Sequence, residues 1–305
     1  MEVRRKTHVQ RMTYEEFETR IRDGEIGEQT PVRFEVVTGD EFVLAGTLEL
    51  YQALRDPRQM AFRRSLTRLG VPLVTALIVG VQIRIYLVSW FPGVEGWLQS
   101  EWSNWAPGIM EEGQAYRLLT YGMLHVRFTH ILFNLLFLAY TGWNLERGLG
   151  RANLAILYFG SVFSGGLLSM AMSPERPSLG ASGGAFGLLA AVVIFGWKYW
   201  DSIPQRSRKY FGYALVPYLV FSISTGLTDE NVDNWGHLGG LLGGVVLATL
   251  LEPELLARHT WRNRWVRWVA VVTMIGSGWL LVAMGPRLLP MQLERSSGLE
   301  VERPT

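Results

Sequence analysis

The chain contains no cysteine. That excludes disulfide staples, thiolate metal sites and a cysteine nucleophile, and leaves the redox compartment undecided. It also lacks a charge imbalance: 29 Lys and Arg against 27 Asp and Glu leave a net charge of +2, too little to point to nucleic acid as a partner. No cleavable signal peptide is indicated. Met1–Gln10 is basic but leads into Tyr14-Glu15-Glu16-Phe17-Glu18 with no apolar core behind it. Insertion into a membrane is therefore expected to be directed by the first apolar span itself.

What is present is unevenly spread. Up to Arg68 the chain is charged; from Leu69 to Gly285 long apolar runs alternate with short polar ones. The runs are Leu69–Trp90, Phe128–Trp143, Asn153–Met172, Ala181–Trp197, Phe211–Leu227, Trp235–Leu251 and Val266–Met284. A spanning helix needs roughly 20 apolar residues, with about 17 as the lower end. Seven membrane spans are expected, the shorter ones completed by their flanking residues.

The positive charges fall in alternate connections. Arg58, Arg63, Arg64 and Arg68 precede the first run, and Arg147 and Arg151 follow the second. Lys198, Arg206, Arg208 and Lys209 follow the fourth, and Arg258, Arg262, Arg264 and Arg267 follow the sixth. Short basic loops stay on the cytoplasmic side. The N-terminus is therefore expected inside, the C-terminal tail outside, and the bacterial inner membrane is the expected setting. Phe91–Tyr121, on the outer side, carries Trp97, Trp102 and Trp105 amid Gly and Pro and reads as an interfacial amphipathic loop.

The polar N-terminal part has the signs of a small cytoplasmic α+β module. Thr13 and Glu16 form a capping box ahead of a helix over Tyr14–Arg22 that spaces Phe17 and Ile21 on one face. Val32–Val36 alternates like a strand, and Thr38-Gly39-Asp40 reads as a turn into Phe42-Val43-Leu44. The expected division is 1–60 for this module, 69–251 for a six-span core, and 252–305 for a cytoplasmic loop, a seventh span and an external tail.

Polar residues within spans are costly and raise a functional hypothesis by default. Three groups stand out, all starting on the outer face: Gly180-Ala181-Ser182-Gly183-Gly184-Ala185-Phe186-Gly187, Trp235-Gly236-His237-Leu238-Gly239-Gly240 running on to Gly244, and His125, His130 and Asn134. Singly, each has a structural explanation, as a packing serine, an interfacial histidine or an interhelical amide. Together, at one depth, they read as chemistry. A serine hydroxyl becomes a nucleophile when a base takes its proton, and histidine has the pKa to do so near neutrality. Ser182 sits where a helix begins, so free backbone N–H groups would face an oxyanion formed there. His130 and Asn134, four apart on one face, add side-chain donors. No aspartate is placed to orient His237, so a Ser–His dyad is expected. Gly183/Gly187 and Gly240/Gly244 would let the two helices meet backbone to backbone, and Phe186 would stack on the imidazole.

The Gly-Ala-Ser-Gly, His-x-x-Gly-x-x-x-Gly and His-x-x-x-x-His-x-x-x-Asn stretches, which occur here in the family's order, resemble those of rhomboid intramembrane serine proteases. Tyr116-Arg117 resembles the family's Trp-Arg pair with Tyr in place of Trp, and Glu146-x-x-x-Gly150 matches a further motif; the resemblance covers roughly Val71–Leu251. It implies an all-α polytopic membrane protein with a six-helix rhomboid-like core plus one C-terminal transmembrane helix. It also implies Ser182 as nucleophile, His237 as base, and an oxyanion hole of His130, Asn134 and the Ser182 N–H. Gly180, Phe186, Gly240, Gly244, His125, Arg117 and Glu146 would support the site. Expected partners are single- or multi-span membrane protein substrates and the lipid bilayer, with no metal, cofactor, nucleotide or nucleic acid. Two other readings exist: a non-catalytic rhomboid-like protein that binds transmembrane helices, and a transporter. The retained serine and histidine speak against the first, and the gathering of polar groups at one face speaks against the second.

Overall fold

The structure is a computed structural model that describes residues 1–5, 8–22, 25–55, 61–62, 65–66, 71–203, 205–211, 232–257, 260–275 and 279. The chain divides into two compact units, one of Met1–Arg68 with Asp201–Pro204, the other of Leu69–Trp200 and Gln205–Thr305.

In the first unit, β1 (Glu2–Arg5), β2 (His8–Arg11), β3 (Pro31–Arg33) and β4 (Val43–Leu44) form an antiparallel sheet in the order β2-β1-β3-β4. Helix α1 (Tyr14–Arg22) begins with a reciprocal cap: Thr13 N donates to Glu16 Oε2 at 3.1 Å and Glu16 N to Thr13 Oγ1 at 3.2 Å. Phe17 and Ile21 of α1 are buried with Val3, Ile26, Val32 and Tyr51. The strand expected over Val32–Val36 stops at Arg33 and gives way to the helical turn α2 (Glu35–Thr38). The cause is local. Thr38 Oγ1 accepts from Phe34 N at 3.1 Å and donates to Glu41 O at 2.9 Å, a side-chain alternative to the ladder that leaves Val36 exposed. The β1–β2 hairpin has no counterpart among the sequence expectations, because of its eight mostly polar positions only Val3 goes into the core. Helix α3 (Glu49–Arg55) completes the unit.

The second unit is helical: α4 (Leu73–Ser89), α5 (Val94–Trp102), α6 (Ala106–Met110), α7 (Arg117–Thr120), α8 (Phe128–Leu149), α9 (Arg151–Met172), α10 (Ser182–Lys198) and α11 (Asn234–Leu250), with a further helical stretch over 260–275. Among the described residues α9 is the one helix that alone is long and apolar enough to cross a membrane. Helices α4, α10 and α11 have 17 residues each. That is about 25 Å of rise, so each needs its flanks to cover a hydrocarbon core of roughly 30 Å. The expected fifth span, Phe211–Leu227, lies outside the described residues apart from Phe211, and the seventh, Val266–Met284, is described as helix only to residue 275 and at 279. The segment between α4 and α8 is folded rather than loose: α5, α6 and α7 bury Leu98, Ile109, Met110 and Leu118.

Glycine sets the helix spacing. Gly183 lies against Gly240 and Gly187 against Gly244, so close that a methyl group on Gly240 or Gly244 would overlap the facing backbone. The residue numbers rise together, so α10 and α11 run parallel. Gly183 meets Gly165 while Gly187 meets Ser161, and Gly165 meets the Gly236 carbonyl while Gly160 meets Leu247, so the numbers run in opposite senses and α9 is antiparallel to both. Gly148, late in α8, meets Phe195, late in α10, while His130, early in α8, meets Gly180 just before α10. Helices α8, α10 and α11 therefore start at the same end of the bundle. At the other end Glu146, buried, accepts from Val74 N at 3.0 Å, Thr75 N at 2.8 Å and Thr75 Oγ1 at 2.8 Å. It caps the first turn of α4, where the helix has free N–H groups and favours negative charge.

Candidate active site

The shared end of α8, α10 and α11 gathers the polar residues. Gly180 has φ +133°, a conformation that side-chain-bearing residues rarely adopt, and its N–H donates to Tyr121 O at 3.0 Å. A Cβ on Gly180 would lie 2.8 Å from His130 Cε1 and 3.8 Å from Ser182 Oγ. The His130 ring and the Ser182 hydroxyl thus border one small volume, kept open by the missing side chain. Ala181 N donates to His125 Nε2 at 3.5 Å, and the His125 and His130 rings pack edge to face with centroids 5.0 Å apart. If His125 accepts through Nε2, its proton is on Nδ1. Ser182 then opens α10, where first-turn N–H groups have no intrahelical acceptor.

His237 lies in the first turn of α11. Phe186, one turn below Ser182, stacks on its imidazole at 4.4 Å with the planes 15° apart. The stack and the Gly183–Gly240 contact bring the imidazole to the Ser182 end of α10. Among the described residues no hydrogen bond joins Ser182 Oγ to His237; in proteins without bound substrate such bonds are often long and tighten only on binding. Asn134 is buried one turn after His130 and donates one amide hydrogen to His130 O at 2.9 Å, leaving the second for another acceptor.

The remaining supporting residues lie outside this cluster. Arg117 is buried, with Nε donating to Gln114 Oε1 at 2.5 Å, Nη1 to Ser103 O at 3.2 Å, and Glu101 3.8 Å from Nη2. It staples the α5–α7 segment. Glu146 serves the opposite end of α8, and Gly244 lies one turn deeper than Gly240. Four residues that sequence reasoning passed over also shape the site. Tyr121 holds Gly180 through its carbonyl and donates from its hydroxyl to Val162 O at 2.7 Å. Asn104 and Ser178 exchange backbone hydrogen bonds at 2.8 and 2.9 Å. Asp233 caps α11 by accepting from Gly236 N at 2.8 Å. Only Asp233 had a readable signal, as an N-cap residue type just before an apolar run. Among the described residues no group of three or more His, Asp or Glu side chains converges as a metal site would.

The half-buried dyad candidates, the glycine-packed parallel helices and the helix-start serine define a helical core of one recognisable class. The family model for the Rhomboid domain matches residues 112–254. The rhomboid protease GluP of Bacillus subtilis is 28% identical over 204 residues, 65% of this chain and 38% of that protein. Rhomboid-like protease 1 of Toxoplasma gondii is 32% identical over 156 residues, 51% of this chain and 53% of that protein. YdcA of Bacillus subtilis is 30% identical over 148 residues, 48% of this chain and 72% of that protein. The chain belongs to the rhomboid family of integral membrane proteins. It spans 38% and 53% of the length of the first two of these relatives.

Proposed function

We propose that this protein is an intramembrane serine protease that cleaves transmembrane or membrane-proximal segments of other membrane proteins. Ser182 attacks the scissile carbonyl, and His237 takes the hydroxyl proton and returns it to the leaving amine. Water then enters from the open end of the bundle and deacylates the enzyme. His130, the second amide hydrogen of Asn134 and the Ser182 N–H receive the oxyanion. The observation that carries this reading is the Phe186–His237 stack, which ties the imidazole to the helix that starts with Ser182. The same reading takes the chain as a six-plus-one helix protein of a bacterial inner membrane. Its N-terminal module is cytoplasmic, and its site opens to the outside.

The test is covalent labelling. A fluorophosphonate should modify the purified wild type, and mass spectrometry should put the adduct on Ser182. In parallel, a panel of labelled single-span substrates should be cleaved by wild type and not by Ser182→Ala. Equal labelling or equal cleavage by Ser182→Ala would overturn the assignment.

A further inference from the structure

The two helices proposed to carry the dyad are tied together by a bond between the side chains of two residues, one ahead of each helix. Ser178 precedes Ser182 by four residues, and Asp233 precedes His237 by four. The Ser178 hydroxyl donates to Asp233 Oδ2 at 2.5 Å, while Asp233 Oδ1 accepts from Gly236 N at 2.8 Å. The Asp233 carbonyl accepts from His237 N at 3.1 Å, the first backbone bond that seats the histidine in α11. One carboxylate is thus both the cap of the base-bearing helix and its cross-link to the segment that delivers the nucleophile. Bonds to a charged acceptor are roughly twice as strong as neutral ones, and negative charge is favoured at a helix start.

The cross-link is anchored. Ser178 is held by its two-way backbone bridge to Asn104, and Asn104 Nδ2 donates to Gly166 O of α9 at 3.0 Å. The carboxylate folds over Gly236, where an added Cβ would lie 2.9 Å from Asp233 Cγ and 3.3 Å from Oδ1. A glycine there leaves the carboxylate its place. Among the described residues no hydrogen bond joins the carboxylate to the His237 ring; Asp233 holds the histidine through its own backbone carbonyl.

We propose that Asp233 is a positioning residue: through Ser178 it latches the start of α11 to the Gly180–Ser182 turn and so sets the separation of the His237 imidazole from the Ser182 hydroxyl. This rests on the dyad reading above. A misplacement of about 1 Å between reacting groups can cost on the order of a hundredfold in rate.

The experiment uses the full chain in detergent, with cleavage of a single-span substrate and phosphonylation of Ser182 as separate readouts. Asp233→Ala should slow both by roughly a hundredfold, and Ser178→Ala by about tenfold, with KM changed less than about twofold. Gly236→Ala keeps the acid but displaces it, and should behave like Asp233→Ala. Asp233→Asn retains a cap acceptor and an amide that can donate to Ser178, so it should recover to within about tenfold of wild type. Adding Ser178→Ala to Asp233→Ala should cause no further loss, because both break one link. Thermal unfolding of each variant separates the latch from simple capping. The proposal is overturned if Ser178→Ala and Gly236→Ala turn over at the wild-type rate, or if their losses follow the unfolded fraction alone. Cleavage by Ser182→Ala would instead remove the dyad on which it rests.

Discussion

At the scale of single residues, the site is built as much by a missing side chain as by those present. Gly180 at φ +133° leaves the space that His130 and the Ser182 hydroxyl border, and a methyl group there would press on the His130 ring. Phe186 holds His237 by its face. An aromatic stack contributes about 0.5–1.5 kcal/mol beyond burial, so Phe186→Leu should lower turnover roughly two- to tenfold, with Phe186→Tyr close to wild type in the same kinetic assay. Unchanged turnover in Phe186→Leu would show that the ring needs no such support. Asn134 has one amide hydrogen committed to His130 O and a second to offer. Loss of one oxyanion donor typically costs about a hundred- to a thousandfold in turnover. Asn134→Ala should approach that loss while KM stays nearly constant and Ser182 still labels slowly. Wild-type cleavage by a normally folded Asn134→Ala would remove it from the oxyanion hole. The candidates His130, Asn134 and His237 were legible because polar types are costly in a span, and Gly180 and Phe186 through their spacing from Ser182 and the resemblance. Tyr121 and Ser178 were not, because a tyrosine or serine in a connection between helices is ordinary, and their importance lies in which distant carbonyl or carboxylate they meet.

At the scale of helices, the seam between α10 and α11 is the critical contact. The spacing of Gly183, Gly187, Gly240 and Gly244 announces a close-packed face, and the fold aligns the two faces in parallel. A methyl group on Gly244 would overlap the Gly187 backbone, which cannot move aside as a side-chain end can. Overpacking of this kind typically costs about 1–3 kcal/mol, so Gly244→Ala should melt at lower temperature in detergent and lose activity in step. Gly80 of α4 is the internal control, since nothing lies within 4 Å of a Cβ added there. Gly80→Ala should be neutral or mildly stabilising, as Ala restricts the unfolded chain and favours helix. If both substitutions behave alike, the seam does not depend on close approach. The expected strand over Val32–Val36 failed at this scale because one threonine side chain supplied a competing local acceptor.

At the scale of the whole molecule, the parallel run of α8, α10 and α11 puts His130, Ser182 and His237 at one end and Glu146 at the other. On the topology proposed above, with the basic connections inside, that end faces outward. The absence of native cysteine makes the orientation directly measurable. Glu175→Cys, in the connection between α9 and α10, should react with an impermeant thiol reagent from outside, and Lys209→Cys only after permeabilisation. The reverse pattern would invert the topology and turn the site to the cytoplasm. The sequence by itself determined the helical, membrane-embedded character, the candidate nucleophile and base, and the glycine faces. Those follow from composition and spacing, which act locally or through the periodicity of a helix. Only the tertiary structure decided that Glu146 caps α4, that Tyr121 and His125 hold the Gly180–Ser182 turn, and that Asp233 meets Ser178 across 55 residues of chain. Each is a pairing of one buried polar group with another far along the chain. Such pairings are fixed by which helix ends the packing brings together, and nothing in local spacing encodes that choice.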